Sequence, residues 1–319
     1  MKIVSVCVIV LAGLWLSACA PERPAGVPGF ATPLGNVVPV HTDVPGQPHT
    51  HVDPAQATEQ IQVAIVPSEL TLGPNRFAVG LLDANGQAIT EAAVHFHYFD
   101  LSNADQPQLE SEADATRLVS PDGRSAIFAH ERTFTRAGDW GVEVQARLPS
   151  GKAAIKRIAF AVLADSPTIK VGQKVPSLET PTLASASGDL SRLASASEPI
   201  PELYRLSLKQ SLNNGKWTVL LFATPAFCQT RFCGPAYDVE SALQKRYGQQ
   251  SNFIHVEVYT GLPNPTVNNF QIAPAMQAFG LHTEPWLYII RPDGSVAYRV
   301  EGFFLEDEVE RHYKELVGA

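Results

Sequence analysis

The chain contains few cysteines and no excess of positive charge. Four of its 319 residues are cysteine, which is too few for a fold built on disulfides. The formal net charge is -8, which argues against nucleic-acid binding because nucleic-acid-binding proteins usually present a basic face. Hydrophobic residues make up 45% of the chain, a fraction that excludes a fully disordered or collagen-like polypeptide. The length suggests two globular domains.

Residues 1–18 have the pattern of a secretory signal peptide. Lys2 supplies a short positive region, and residues 3–16 form an apolar run shorter than the roughly 20 residues that cross a bilayer. The run ends in Leu16-Ser17-Ala18-Cys19, which resembles the lipobox of bacterial lipoproteins. That resemblance implies lipidation of Cys19 and a protein anchored at the extracytoplasmic face of the cell membrane. The alternative is an ordinary secreted protein with a spare cysteine.

Three segments follow the signal peptide. Residues 19–57 are rich in proline and have no lasting period, which predicts a semi-extended tether. Residues 58–165 contain short alternating runs separated by turn signals such as Pro121-Asp122-Gly123, which predicts an all-β antiparallel sandwich. Residues 166–319 begin with a low-complexity segment and then follow the order β-α-β-α-β-β-α, which predicts an α/β domain. The predicted fold class is therefore multidomain.

The sandwich segment carries one family resemblance and a pair of histidines. Residues Phe134–Trp140 resemble the late-strand motif of small immunoglobulin-like domains on bacterial extracytoplasmic proteins, which implies an immunoglobulin-like sandwich. His95 and His97 share one face of a predicted strand, whose other face we expect to be buried. We expect these histidines to be solvated, with metal binding as the alternative. Three more histidines lie in the tether: His41, His49 and His51.

The two remaining thiols are Cys228 and Cys233, because Cys7 leaves with the signal peptide and Cys19 is blocked by lipid. Cys228 lies between the apolar run Trp217–Phe222 and a helical pattern, and therefore at a strand-to-helix loop. The positive end of a helix lowers a cysteine pKa from about 8.5 to as low as about 3.5, and Arg231 adds a cation. We predict that Cys228 is the nucleophile and that Cys233 resolves the mixed disulfide.

The region from about Gly172 to Val317 resembles the thioredoxin superfamily, and more narrowly its extracytoplasmic TlpA/ResA-like thiol-disulfide oxidoreductases. The matching residues are Gly172–Pro176, Val219–Phe222, the loop Ala223–Cys228, Thr283–Trp286 and Asp293-Gly294. The resemblance implies that Pro285 is a cis-proline packed against the cysteines, and that Glu284 offers backbone groups to an extended substrate. It also implies protein thiol or disulfide substrates, a redox donor or acceptor protein, and no cofactor. We expect the Glu284 carboxylate to be solvated, with a role in proton relay as the alternative.

The cysteine spacing departs from the usual redox motif, since four residues rather than two separate the thiols. On an ideal helix, positions i and i+5 lie roughly 8.7 Å apart, beyond the roughly 7 Å limit for a disulfide. We therefore predict that Gln229–Phe232 form a bulged loop and that the helix begins near Gly234-Pro235.

Other functions remain open for the same residues. The cysteine pair could be a structural disulfide, or it could bind copper as in Sco-like assembly factors. His255 and His282 are the nearby candidates for such a site, and neither matches by motif. A third alternative is a non-catalytic binding lipoprotein whose sandwich domain recognises a partner.

Overall fold

The computed structural model describes residues 52–228, 232–264, 266 and 269–318. Four predicted features lie outside these residues: the signal peptide, the lipidation of Cys19, the tether as far as His51, and the loop cation Arg231. Over the described residues the chain forms three four-stranded sheets and few helices. None of the described helices is both long enough and apolar enough to cross a membrane.

The N-terminal half is entirely β-structure apart from one short 3₁₀ turn. Its strands are β1 (Gln62–Ile65), β2 (Gly73–Leu82), β3 (Ala93–Asp100), β4 (Gln108–Asp114), β5 (Thr116–Val119), β6 (Ala126–Phe134), β7 (Gly138–Arg147) and β8 (Ala153–Val162). They form two antiparallel sheets with the strand orders β1-β2-β6-β5 and β4-β3-β7-β8. Phe77 and Phe128 from the first sheet share one core with Phe96 and Val142 from the second. The two sheets therefore face each other as a sandwich.

The outer face of the second sheet differs from the prediction. His95 and His97 do alternate with the core residues Val94, Phe96 and Tyr98, but the histidines are only 6% and 7% exposed. The expectation that they are solvated is therefore wrong. Burial of polar groups is costly unless they are hydrogen-bonded, and carboxylates from neighbouring strands supply the contacts described below.

The C-terminal half forms the third sheet and carries the longer helices. Its strands are β9 (Thr218–Phe222), β10 (Asn252–Val256), β11 (Trp286–Ile290) and β12 (Val296–Glu301), and its helices are α1 (Leu208–Ser211), α2 (Cys233–Tyr247), α3 (Pro274–Ala278) and α4 (Glu306–Val317). The strand order is β10-β9-β11-β12, with β10 parallel to β9 and the other pairs antiparallel.

Strand β9 lies inside this sheet and is buried on both faces. Val219 and Leu221 belong to one core cluster with residues of α2 and α4, whereas Leu220 and Phe222 belong to another with residues of α3. A strand covered on both faces needs an uninterrupted apolar sequence, as the run in this segment predicted. The loop that follows Phe222 therefore leaves the interior at the end of a fully buried strand.

Ion pairs join the two halves of the chain. Arg76 of β2 donates two hydrogen bonds to the Glu308 carboxylate of α4, at 2.6 and 2.9 Å. Both side chains are less than a tenth exposed. Arg299 and Glu69 form a second pair at 3.1 Å, also mostly buried. Removing one partner of a buried pair leaves an uncompensated charge, so these contacts hold the halves together.

An apolar cluster lies beside these ion pairs and reaches the cysteine loop. Phe303, two residues after β12, is buried in this cluster, and its ring contacts the ring of Phe232 at a centroid distance of 5.2 Å. The sandwich contributes three buried residues to the cluster: Ala78, Ile127 and Ala129. The residue that precedes Cys233 therefore packs in the region where the two halves meet.

We expect Arg76→Met to lower the free energy of unfolding by about 3 kcal/mol, because it leaves the buried Glu308 carboxylate without its guanidinium. The matched control is Arg205→Met, which removes an exposed pair with Glu202 and should change the value by less than about 1 kcal/mol. Urea denaturation followed by tryptophan fluorescence measures both. Equal losses for the two variants would contradict the role of the Arg76 pair.

Candidate functional site

The two cysteines predicted to form the redox pair are joined by a disulfide. Their Cα atoms lie 6.0 Å apart. Helix α2 begins at Cys233, one residue before the predicted start, so Cys228 belongs to the preceding loop. The distance is shorter than the roughly 8.7 Å of an i, i+5 pair on a helix because only one cysteine is helical. The path of residues 229–231 lies outside the described residues.

The two sulfurs differ in access. Cys233 is fully buried and belongs to the core between the sheet and α2, whereas Cys228 is half-buried and packs at the edge of the same core. Because the Cys228 sulfur is bonded to the sulfur of the first helical residue, it also lies at the N-terminus of α2. Unpaired backbone N–H groups and the helix dipole stabilise an anion at that position. The accessible sulfur is therefore the one placed to act as a thiolate.

The segment before β11 brings a carboxyl group to the disulfide. The Glu284–Pro285 peptide bond is cis, and Pro285 accepts a hydrogen bond from the Gly302 N–H at 2.9 Å. Thr283, on the other side of Glu284, donates its hydroxyl to Glu301 at 2.6 Å. With the backbone held on both sides, a Glu284 carboxyl oxygen lies within 4.8 Å of both cysteine sulfurs.

The Glu284 carboxyl group is enclosed by protein. Both of its oxygens are buried, so the expectation of a solvated side chain is wrong. Burial raises the pKa of Glu284 to about 7, against an opposing effect of the Thr224 N–H and hydroxyl, and the nearby Glu257 carboxyl raises it further. A carboxyl group with this pKa exchanges a proton at neutral pH.

A second buried acid, Glu257, lies near Glu284. Sequence reasoning did not identify it. It is buried at the end of β10 and accepts a hydrogen bond from the Ser195 N–H at 2.5 Å. Burial raises its pKa to about 7, against an opposing effect of Ser195 and Thr224. The sequence pattern that could have identified Glu257 is an acid between Val256 and Val258 in an otherwise apolar run.

The low-complexity segment contributes directly to the site. Ser195 donates its N–H to Glu257, and its hydroxyl accepts the Ala226 N–H of the cysteine loop at 3.1 Å. Leu193 and Ala194, immediately before it, are buried in the core that contains Cys233. The segment thus fixes the acid and the loop relative to each other.

Neither histidine considered as a copper ligand is grouped with the cysteines among the described residues, where Glu284 completes the cluster. The His255 ring lies between two partners, with Nε2 donating to the Ala223 carbonyl at 3.0 Å and Nδ1 accepting from the Tyr204 hydroxyl at 2.7 Å. Its complete burial lowers its pKa to about 3, so the ring stays neutral at pH 7. His282 is exposed.

We expect the stability of Glu284→Gln, relative to the unsubstituted protein, to rise with pH. Because the folded pKa of Glu284 is about 7 and its ordinary value is 4.5, the folded protein holds a proton that the unfolded chain releases. The stability from this protonated carboxyl is fully present below about pH 4.5 and is lost as the pH rises through about 7. Glutamine removes that loss, so the difference should reach up to about 3 kcal/mol by pH 8.

Urea denaturation at intervals from pH 4 to pH 8 measures this difference, and Glu198→Gln, at an exposed carboxyl in the same half, is the control. Parallel pH profiles for Glu284→Gln and the unsubstituted protein would contradict the raised pKa.

No protein-family model matches the chain, and no curated protein does. A protein assigned as the thiol:disulfide interchange protein DsbE from Chlorobium tepidum has 16% identity and a TM-score of 0.32, over 47% of this chain and 100% of that one. A copper-bound FetP variant from uropathogenic Escherichia coli strain F11 has 12% identity and a TM-score of 0.26, over 34% and 93%. CopC from Methylosinus trichosporium OB3b has 11% identity and a TM-score of 0.22, over 32% and 87%. Likenesses this weak assign no function to this chain.

Proposed function

We propose that the protein is a thiol-disulfide oxidoreductase that acts on protein thiols through Cys228 and Cys233. The observation that carries the proposal is the asymmetry of the pair. One sulfur is partly accessible at a helix N-terminus, the other is fully buried, and a Glu284 carboxyl oxygen lies within 4.8 Å of both. A structural disulfide needs neither the accessible sulfur nor an acid whose pKa of about 7 matches neutral pH.

The exchange begins at the accessible sulfur of the reduced pair. The Cys228 thiolate attacks one sulfur of a substrate disulfide, so a Cys228–substrate disulfide forms and the other substrate sulfur leaves as a thiolate. The N-terminus of α2 stabilises the attacking thiolate. Cys233 is too deeply buried to take this first role, since it has no exposed surface.

The buried sulfur completes the exchange. The Cys233 thiol gives its proton to the Glu284 carboxylate, and its sulfur attacks the Cys228 sulfur. The Cys228–Cys233 disulfide forms, the bond between Cys228 and the substrate breaks, and the second substrate thiolate leaves. Two electrons thus pass from the dithiol to the substrate disulfide, and the reverse sequence oxidises a substrate dithiol. A redox donor or acceptor protein sets the direction.

The pair of acids adjusts the proton affinity of this site. Glu257 raises the pKa of Glu284 by charge repulsion, and Thr224 opposes the rise in pKa at both acids. Two interacting carboxyl groups with ordinary pKa values would both be ionised at pH 7 and unable to donate. Raised pKa values let Glu284 accept a proton in one half-reaction and return it in the other.

The proposal extends to the fold and location implied by the sequence resemblances. The C-terminal half is proposed to be a thioredoxin-like domain of the TlpA/ResA-like branch, with Pro285 as its cis-proline and the Glu284 backbone as a contact for an extended substrate. The sandwich is proposed to be immunoglobulin-like. Lipid on Cys19 would hold both domains at the extracytoplasmic face of the cell membrane.

We expect Cys233→Ser to accumulate a mixed disulfide through Cys228, because the accessible thiol can attack but cannot be resolved. A peptide disulfide serves as substrate, and mass spectrometry with peptide mapping identifies the linked cysteine. The matched variant Cys228→Ser should trap little, since its remaining redox thiol is buried. Equal trapping by both variants, or none by either, would overturn the assignment of roles.

We expect Glu284→Gln, with both cysteines intact, to slow resolution of the mixed disulfide by roughly 100-fold near pH 7, because glutamine cannot accept the Cys233 proton. Rapid-quench kinetics over pH 5 to 9 measures the step. The inflection near pH 7 should disappear in the variant. A slower step that keeps the same pH profile would mean that Glu284 only supports the local packing.

A further inference from the structure

The outer face of the second sandwich sheet carries a cluster of two buried histidines and three acids. His97 of β3 lies directly opposite Glu112 of β4 and Glu143 of β7, in one row across the sheet. In the next row, His95 lies opposite Asp114 of β4. Side chains paired across neighbouring strands on one face lie within contact distance of each other. The strand register therefore brings two imidazoles and three carboxyl groups together.

Two carboxylates contact the Nδ1 atoms of the histidine rings. His95 Nδ1 lies 2.6 Å from Asp114, and His97 Nδ1 lies 3.2 Å from Glu143. The other oxygen of Glu143 accepts hydrogen bonds from the Arg157 guanidinium, whose nitrogens lie 2.6 and 2.7 Å away. An imidazole N–H donates to a carboxylate oxygen, so these contacts favour the tautomer with the hydrogen on Nδ1. In a neutral ring, Nε2 then bears the lone pair.

The Nε2 atoms converge on the third carboxylate. Glu112 Oε2 lies 3.4 Å from His97 Nε2 and 4.0 Å from His95 Nε2. The three ligand atoms all lie within 4.8 Å of one another. Tetrahedral ligands about 2.1 Å from a metal ion stand about 3.4 Å apart, so small side-chain movements would bring all three to bonding distance.

We propose that His95, His97 and Glu112 form a site for a divalent first-row transition-metal ion. The arrangement has the features of metal-binding histidines in proteins, in which one ring nitrogen binds the ion and the other donates to a carboxylate that orients the ring. Here Asp114 and Glu143 are the orienting carboxylates. The site belongs to a different sheet from the disulfide and does not depend on the proposed redox function.

The ligand types indicate which ions fit. Imidazole suits zinc, copper, iron and nickel, whereas calcium and magnesium prefer sites made of oxygen alone. Three protein ligands leave a coordination position open. Glu112 is 39% exposed at its side chain, so solvent or a small ligand reaches the cluster from that side.

The surroundings fix the cluster before any ion binds. Gln145 donates to Glu143 at 2.8 Å, and it accepts the Val52 N–H at 2.7 Å. Val52 itself is 3% exposed, so the chain that enters the sandwich lies against this part of the sheet. Preorganised ligands and a buried second layer of hydrogen bonds favour metal binding over solvation of the side chains.

Isothermal titration of the full chain in detergent, without a histidine tag and with the disulfide closed, tests the proposal with zinc. We expect one zinc ion per chain at this site, no binding of magnesium or calcium, and at least a tenfold loss of affinity in His97→Ala and in Glu112→Gln. Asp114→Asn should lose affinity by about 10- to 100-fold, because it removes only the orienting contact. Circular dichroism confirms that each variant folds, and Glu112→Gln changes the most exposed of the three ligands.

His282→Ala, at an exposed histidine in the other half, is the control and should leave the affinity unchanged. With copper(II) as a second probe, electron paramagnetic resonance should show coupling to imidazole nitrogens in the unsubstituted protein and lose it in His95→Ala. Binding that persists unchanged in the folded His97→Ala and Glu112→Gln variants would overturn the site, as would the absence of zinc binding. Loss of binding in Cys228→Ser with Cys233→Ser would assign the ion to the thiols and also overturn it.

Discussion

The structure of the cysteine site depends on the largest distance between two cysteine Cα atoms that a disulfide can span, which is roughly 7 Å. A disulfide cannot join positions five residues apart on a regular helix, so the chain must enter α2 only at the second cysteine. That entry point buries Cys233 in the core and leaves Cys228 on the loop that follows the central strand. The difference between the two sulfurs, on which the proposed chemistry depends, follows from where the helix begins.

Burying two acids beside the disulfide costs free energy, and few hydrogen-bond donors offset that cost. Glu257 receives a hydrogen bond from the Ser195 N–H on one oxygen, whereas its other oxygen and both oxygens of Glu284 have no hydrogen-bond partner among the described residues. Because hydrogen bonds do not compensate for burial, the pKa of each carboxyl group is raised to about 7. Proton-exchanging acids of this kind are found where a protein performs chemistry more often than where it only packs.

The sequence predicted those features that depend on local pattern. The apolar run over β9 and the alternation along β3 correctly placed Leu221 and Phe96 in the interior, because buried faces impose those patterns directly. The same alternation correctly placed His97 on the outer face, but not its burial, which arises from carboxylates of other strands. The burial of the Glu284 carboxyl group was not predicted for the same reason, since it is buried by Thr224 and by other segments distant in sequence. Pairing across strands and packing over a loop are not encoded in the spacing of neighbouring residues.

The contact between Phe232 and Phe303 gives the sandwich a role beyond that of a spacer. Phe232 immediately precedes Cys233, and the apolar cluster that holds it includes Ala78 and Ile127 of the sandwich. Residues of both halves of the polypeptide therefore hold Phe232, the residue from which the chain enters α2. A fragment containing only the C-terminal half would expose this aromatic pair to water. A reduction potential measured on that fragment would therefore differ from the potential of the dithiol in the whole protein.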